Sequence, residues 1–347
     1  MVSVARSSGH FGVAGRLVAL VSLGLSLAIS SSADANRLAD IQSRGTLNCG
    51  IWPYVPGFAV TRDGREVGFD VDLCRAVAVA ILGDPEKVRF LTLADVKQFA
   101  KRNDIDLVVR RLTWTPAREA ENGVAFGPVT FYDGQGFLVP RQGGISRAAD
   151  LAGERICVMA GERHVGVLQS YFHDRGREVQ AVLIESDRQA QESMDSHRCR
   201  AYSVDISWLA AARSTFPDGV TRYEILPERI SKEPLAPMMR ARDAELLQVV
   251  RWTIFTMIQA EELHIDSHNI RTFDLSSPRV GSFLNVHPGS HVVLGAGEWV
   301  RGIVAGVGNY GEMFDRNLGM GSAIKLDRGL NKLWTQGGLM YSPPLDR

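Results

Sequence analysis

Asp106-Leu-Val-Val-Arg-Arg-Leu-Thr-Trp-Thr-Pro-Ala-Arg118 reads as a buried strand that turns directly into a helix. The apolar run Ile105 to Val109 fits a strand covered on both faces of a parallel sheet, and Pro116 brings the fixed φ favoured in a first helical turn. Thr113 and Thr115 then fall beside a helix start, where free N–H groups and a partial positive charge favour anions. Arg118 adds a planar fork of donors that can grip a carboxylate in two places, each charge-assisted bond worth about 1.5–3 kcal/mol. The plainer alternative is a threonine that only caps a helix and an arginine that only faces solvent.

The rest of the chain bears on that choice. Its 347 residues are 45% hydrophobic and 22% charged, enough for two globular units with cores. Thirty-nine basic residues balance 39 acidic ones, so the electropositive footprint of a nucleic-acid binder is not expected. Arg6 and Arg16 precede an apolar stretch from Leu17 to Ile29, followed by Ala33-Asp-Ala35, the three-part pattern of an export signal cleaved near Ala35. That run is short of the roughly 20 residues that span a bilayer. Export makes Cys49, Cys74, Cys157 and Cys199 an even set in an oxidising compartment, so two disulfides are expected. Three connectivities are open. Pairing Cys49 with Cys74 and Cys157 with Cys199 would place one staple in each half of the mature chain. No CxxC pair is present, and neither a metal nor a cofactor is expected.

Strand and helix patterns alternate along the mature chain. Helix Arg37–Ser43, strand Thr46–Gly50, helix Asp72–Ile81, strand Val88–Leu93, a helix near Asp95–Arg102 and strand Ile105–Val109 form one series. An extended passage from Val129 to Val139 follows, its Gly134 and Gly136 suited to a backbone crossing. A second series holds strand Arg155–Met159, Gly161, helix Val165–Phe172, strand Glu178–Ile184, helix Asp187–Met194, strand Ala201–Val204 leading into Asp205, helix Ser207–Ser214 and a strand at Tyr223–Ile225. An extended return from Ser231 to Arg240 and helix Leu246–Glu262 complete the pattern. The fold class is α/β with parallel sheets flanked by helices. Ligands of such sheets lie beyond the carboxyl ends of the strands, where Thr113, Arg118, Gly161 and Asp205 would meet.

Through Arg44-Gly-Thr-Leu-Asn-Cys-Gly50, Gly68-Phe-Asp-Val-Asp-Leu-Cys-Arg-Ala-Val77, Thr113-Trp-Thr115, Tyr132-Asp-Gly-Gln-Gly-Phe137, Ile230-Ser-Lys-Glu-Pro-Leu235, Gln259-Ala-Glu-Glu-Leu263 and Val307-Gly-Asn-Tyr-Gly-Glu312, the chain resembles the periplasmic solute-binding proteins of polar amino-acid ABC transporters. The ending, Arg328-Gly-Leu-Asn-Lys-Leu-Trp334 through Pro344, fits the long general L-amino-acid-binding subgroup. The resemblance implies a type II periplasmic-binding-protein fold, in which two lobes joined by two crossing strands close over one amino acid and dock on an inner-membrane permease. It implies a signal peptide over 1–35, a first lobe from 36–133 and 235–274, a second lobe over 134–234, and an extension over 275–347 packed on the first lobe. A monomer is expected. Carried onto this chain, Arg118 would clamp the α-carboxylate with help from Thr113, Asp205 would receive the α-ammonium, and Phe58 would wall the pocket or sit in the core. Charge complementarity agrees, because a buried zwitterion needs one fixed cation and one fixed anion.

The chain departs from the family pattern in positions assigned to the cleft. Arg111 and Leu112 stand where Asn or Ser and Thr are usual, Glu162-Arg163-His164 replaces a run of threonines, Trp52 and Tyr54 replace small residues, and Arg200 replaces an acid. Three readings follow. Arg111 and Arg163 add contacts for a more acidic ligand, or they pair with acids across the cleft, or the amino-acid site is lost and an orphan sensor remains. An enzyme is the minor alternative, because some proteins resembling this fold are dehydratases. His164 is the one histidine placed near the cleft, read most simply as solvent-facing, and no hydrolase, zinc or phosphate-loop motif is present.

Overall fold

The computed structural model describes residues 36–160, 162–272, 277–284 and 298–345. The export-signal expectation over 1–35 and the site residue Gly161 lie outside them, as does the side chain of Glu162. Residues Ala35–Arg347 form one compact unit.

Two five-stranded mixed sheets organise this unit. The first runs in the order Val88–Thr92, Leu47–Ile51, Leu107–Val108, Met238–Arg240, Val124–Phe126, its first three strands parallel. The second runs Gln180–Ile184, Arg155–Met159, Ala201–Asp205, Gln135–Pro140, Tyr223–Ile225, again with three parallel strands first. Between them, Phe131–Asp133 and Glu233–Leu235 pair antiparallel as the two crossing strands, giving the two-lobe arrangement of the type II fold. Gly134 sits at this crossing because a Cβ there would come within 2.5 Å of the Ser231 carbonyl. Gly136 likewise leaves room for Ile206.

Several expected elements appear with small shifts. Strand Arg155–Met159 and strand Tyr223–Ile225 match their expected bounds, and the helix over Ala244–Glu262 starts two residues early. The expected strand Ile105–Val109 shortens to Leu107–Val108, although Asp106 N–H still donates to the Asn48 carbonyl and Val109 N–H to that of Gly50. Asp95–Arg102 forms a 3-10 segment over Val96–Lys101, with the Asp95 side chain accepting from Lys97 N–H. A three-stranded meander, Tyr54–Val55, Ala59–Arg62 and Arg65–Val67, was not expected. Its turn is Asp63-Gly64, both left-handed at φ 52° and 74°, the two-residue hairpin chemistry that Asp-Gly favours.

Each lobe carries one disulfide, Cys49–Cys74 in the first and Cys157–Cys199 in the second. The first core continues into the extension. Phe58, Phe69, Phe131 and Phe314 form an aromatic cluster with centroids 5.6–6.3 Å apart, and the Tyr310 hydroxyl donates to the Thr130 carbonyl. Arg328 pairs with Glu261, and Asn331 Oδ1 accepts from Tyr132 N–H on a crossing strand. The extension also reaches the second lobe, where Arg213 Nη2 donates to the carbonyls of Ile324 and Lys325.

Candidate functional site

The helix Pro116–Asn122 begins as the sequence implies, but Thr115 rather than Thr113 is its cap, accepting from Arg118 N–H at 3.3 Å. Thr113 lies two residues earlier, bridged to Leu235 of a crossing strand. Its hydroxyl donates to Glu233 Oε2 at 2.7 Å, and its carbonyl accepts from Arg118 Nη1. A buried carboxylate therefore takes the hydroxyl expected to face a ligand. Burial and the charge of Arg163 hold the Arg118 pKa below its ordinary value, with Asp205 opposing, so Arg118, Arg163 and Asp205 share one electrostatic neighbourhood.

Asp205 ends its strand and opens the helix Ile206–Thr215, yet does not cap it with its side chain. Asp133 does that work from the crossing strand, accepting from Ser207 N–H at 3.1 Å and Gly134 N–H at 2.9 Å. Asp205 Oδ1 instead lies 3.5 Å from His164 Nε2, and the His164 side chain is only 22% exposed, which corrects the solvent-facing reading. His164 lies in the first turn of the helix Glu162–His173, close to Asp205 at the end of the strand Ala201–Asp205.

Arg111 sits at the centre of the cleft. Its backbone is left-handed at φ 53°, and its guanidinium carbon lies 5.3 Å from the Phe58 ring centre and 5.0 Å from that of Trp208. Arg111 Nη1 donates to Ser207 Oγ at 3.3 Å. Because Phe58 belongs to the first lobe and Ser207 and Trp208 to the second, this one side chain spans both. Burial lowers its pKa while Asp70, Asp133, Asp205 and Asp187 oppose the shift. Asp187 in turn accepts from Trp208 Nε1 at 2.7 Å and Tyr202 OH at 2.8 Å, fixing the indole.

Burial pushes the Asp70 carboxyl up to about 7, against the pull of Arg111 and Arg110. Burial and the neighbouring Asp205 charge push Asp133 up to about 6, against amides from Gly134 and Ser207. Asp133 Oδ2 and Gln135 Oε1 are buried without a hydrogen-bond partner. Phe58 is 1% exposed and belongs to the core, serving the site only as the surface beneath Arg111. The space bounded by Phe58, Asp70 and Arg111 is too narrow for a water-sized sphere.

Arg163 pairs with Glu233, a buried residue that also accepts from Ser231 Oγ at 3.1 Å. It therefore meets an acid on the crossing strand Glu233–Leu235. Other expected cleft positions lie elsewhere. Tyr54 is 67% exposed and edge-on to Trp52, which lies under Arg110, so neither enters the Arg111 cluster. Leu112 is buried in the first lobe's core. Arg200 donates to the Gly143 carbonyl and lies 3.8 Å from Glu154, holding a second-lobe strand to its neighbour. The residues missed were Asp70, Asp133, Trp208 and Glu233. Asp70, Asp133 and Glu233 stand inside quoted motifs, but which way each side chain points depends on how the lobes meet.

Among the described residues no group of His, Cys, Asp and Glu is arranged to hold a metal ion. The assembled geometry is an ionic cleft in which, among the described residues, Arg111, Arg118 and Arg163 meet Asp70, Asp133, Asp187, Asp205 and Glu233. Such a cleft can bind and orient a small charged molecule.

Comparison with known proteins places this architecture. The family of bacterial extracellular solute-binding proteins, family 3, matches residues 47–265. The general L-amino acid-binding periplasmic protein AapJ of Rhizobium johnstonii is 38% identical over 325 residues, covering 91% of this chain and 94% of that protein. The glutamate/glutamine/aspartate/asparagine-binding protein BztA of Rhodobacter capsulatus is 37% identical over 329 residues, covering 93% and 97%. A solved ABC transporter periplasmic binding protein from Brucella ovis, with glutathione bound, is 39% identical with a TM-score of 0.77, covering 90% of this chain and 99% of that one. The chain belongs to the bacterial extracellular solute-binding proteins of family 3.

Proposed function

We propose that this protein is the periplasmic substrate-binding component of an amino-acid ABC transporter, exported with cleavage near Ala35 and delivering its ligand to an inner-membrane permease. The ligand is an amino acid or amino-acid derivative carrying more than one carboxylate. The observation that carries this reading is the position of Arg111, a cation between Phe58 and Trp208 whose charge, like that of Arg118, acts against Asp205. In this reading Arg118, held by the Thr113 carbonyl, takes the α-carboxylate, and Asp205 receives the ammonium. Arg111 takes the further anionic group. Arg163 holds Glu233 on the crossing strand. The names of the relatives support amino-acid ligands, and the glutathione in the Brucella ovis protein is a ligand with two carboxylates. The protein acts as a monomer, binds no nucleic acid and performs no catalysis. Lobe limits follow the crossing strands: 36–133 and 235–274 for the first, 134–234 for the second, and 275–347 for the extension.

A thermal-shift screen of the oxidised protein against L-amino acids, dicarboxylates, opines and glutathione tests this. A ligand that binds only the native state stabilises it by RT ln(1 + [L]/Kd). The expected result is a rise in Tm with dicarboxylates above that with neutral amino acids. No rise with any member overturns the reading. That outcome favours a second one, in which the protein's own side chains fill the amino-acid slot and the fold serves as an orphan sensor, for which the Arg111 stacking and the Arg163–Glu233 pair are the supporting observations.

A further inference from the structure

A cavity of about 410 Å³ lies away from the cleft, between the second lobe and the C-terminal extension. Its walls include Arg141, Arg213, Arg229 and Lys325, against the two carboxylates of Glu224 and Asp327. One of those acids is engaged, since Glu224 Oε2 accepts from Arg141 Nη1 at 2.9 Å. Asp327 Oδ1 accepts from Gly329 N–H and lies 3.8 Å from Lys332 Nζ.

Arg213 is the unusual member. It is 5% exposed, and no carboxylate among the described residues lies within ion-pair distance of it. Only its Nη2 is used, by the carbonyls of Ile324 and Lys325, while Nε is buried without a partner. Burial lowers its pKa and the one charged neighbour acting on it, Arg141, lowers it further. A buried cation is normally paired, because an uncompensated charge in a low dielectric is costly. Arg229 also has Nε buried and unpartnered, although the charges of Asp133 and Asp327 act on it. Its guanidinium lies over Gly329, where a Cβ would come 3.0 Å from Nη2. Arg240, another buried arginine, differs: its two terminal nitrogens reach three carbonyls and its guanidinium carbon lies 4.5 Å from the Phe99 ring centre, which accounts for it as a structural residue.

We propose that this cavity is a second binding site, for a multiply charged oxyanion such as a phosphate or polycarboxylate, with the buried Arg213 and the half-buried Arg229 as its donors and Lys325 at its rim. The walls belong to the helix Ile206–Thr215, to residues 224–229 and to residues 325–329, so a bound anion ties the extension to the second lobe.

The test is a titration of the full oxidised protein with inorganic phosphate and, separately, citrate, followed by Tm against sodium chloride of equal ionic strength. Both probes stabilise proteins generally by exclusion from the surface, so the variants decide. Saturable stabilisation of wild type is expected. Its half-maximal concentration should rise about tenfold or more in Arg213→Gln, the loss expected for one charge-assisted hydrogen bond, and less in Lys325→Gln. A response to one probe alone identifies the class of anion. If Arg213→Gln does not fold, Arg229→Gln and the exposed-residue variant Lys325→Gln carry the comparison. The phosphate titration in Arg118→Met should match wild type, separating this site from the cleft; citrate, which the cleft can also take, is read through the cavity variants alone. Identical, non-saturating responses in wild type and all cavity variants overturn the proposal.

Discussion

Replacing Arg111 by serine should loosen the closed arrangement of the two lobes. Of the contacts made by its guanidinium, the Phe58 ring lies in its own lobe, so only Trp208 at 5.0 Å and Ser207 Oγ at 3.3 Å cross the cleft. A partly desolvated cation–π contact contributes about 1 kcal/mol, and a long hydrogen bond from a charged donor about 1 kcal/mol. The left-handed backbone does not alter the comparison, because serine bears that cost as arginine does. Closure should therefore weaken by about 2 kcal/mol, or roughly 30-fold in the ratio of closed to open molecules. Distances between spin labels on the two lobes, measured without ligand, report that ratio. The variant should show a longer, broader distribution, and Arg111→Lys, which keeps the charge but loses the planar stack, should fall between it and wild type. Superimposable distributions for wild type and Arg111→Ser would show that Arg111 does not hold the lobes together.

Arg118→Met should raise the Kd of the best ligand about 10–100-fold by calorimetry, the loss of one or two charge-assisted bonds, and an unchanged Kd would remove Arg118 from the site. Stability should fall as pH rises from about 4 to 7 and then level off. Asp70 and Asp133 have folded-state pKa values of about 7 and about 6 against 3.8 for the free group, so the native state binds more protons than the unfolded state across that window. Urea unfolding from pH 4.5 to 8 should show this slope, and Asp70→Asn should flatten it. Removing both Cys157 and Cys199 as serines should cost about 4 kcal/mol in urea unfolding, from a loop of 42 residues left unclosed in the unfolded chain. Phe314→Ala should cost about 3–5 kcal/mol, since Phe314 is fully buried between Phe69, Phe131 and Tyr310; a loss under about 1 kcal/mol would mean the extension is not part of the first core.

Much of the architecture was legible in the order of residues, for local reasons. The apolar runs Arg155–Met159 and Ala201–Asp205, the Pro116 helix start and the glycines at 134 and 136 act within a few neighbours, so their conformations follow from chain chemistry. The Asp63-Gly64 hairpin signal is weak in the sequence because the strands flanking it are short and half exposed. The residues that would form a site were legible as types, a guanidinium for a carboxylate and an acid for an ammonium. Their partners were not. That Thr113 gives its hydroxyl to Glu233, that Arg163 reaches the same acid, and that Arg111 lies between Phe58 and Trp208 all join positions 70 to 120 residues apart or more, or rings from opposite lobes. The strand and helix pattern alone determined that this chain builds α/β units with parallel strands; that two such lobes face each other came from the family resemblance. Only the tertiary structure decided which charges meet between them, because the energy of a buried charge depends on distance and solvent exclusion, and neither exists until the lobes have packed.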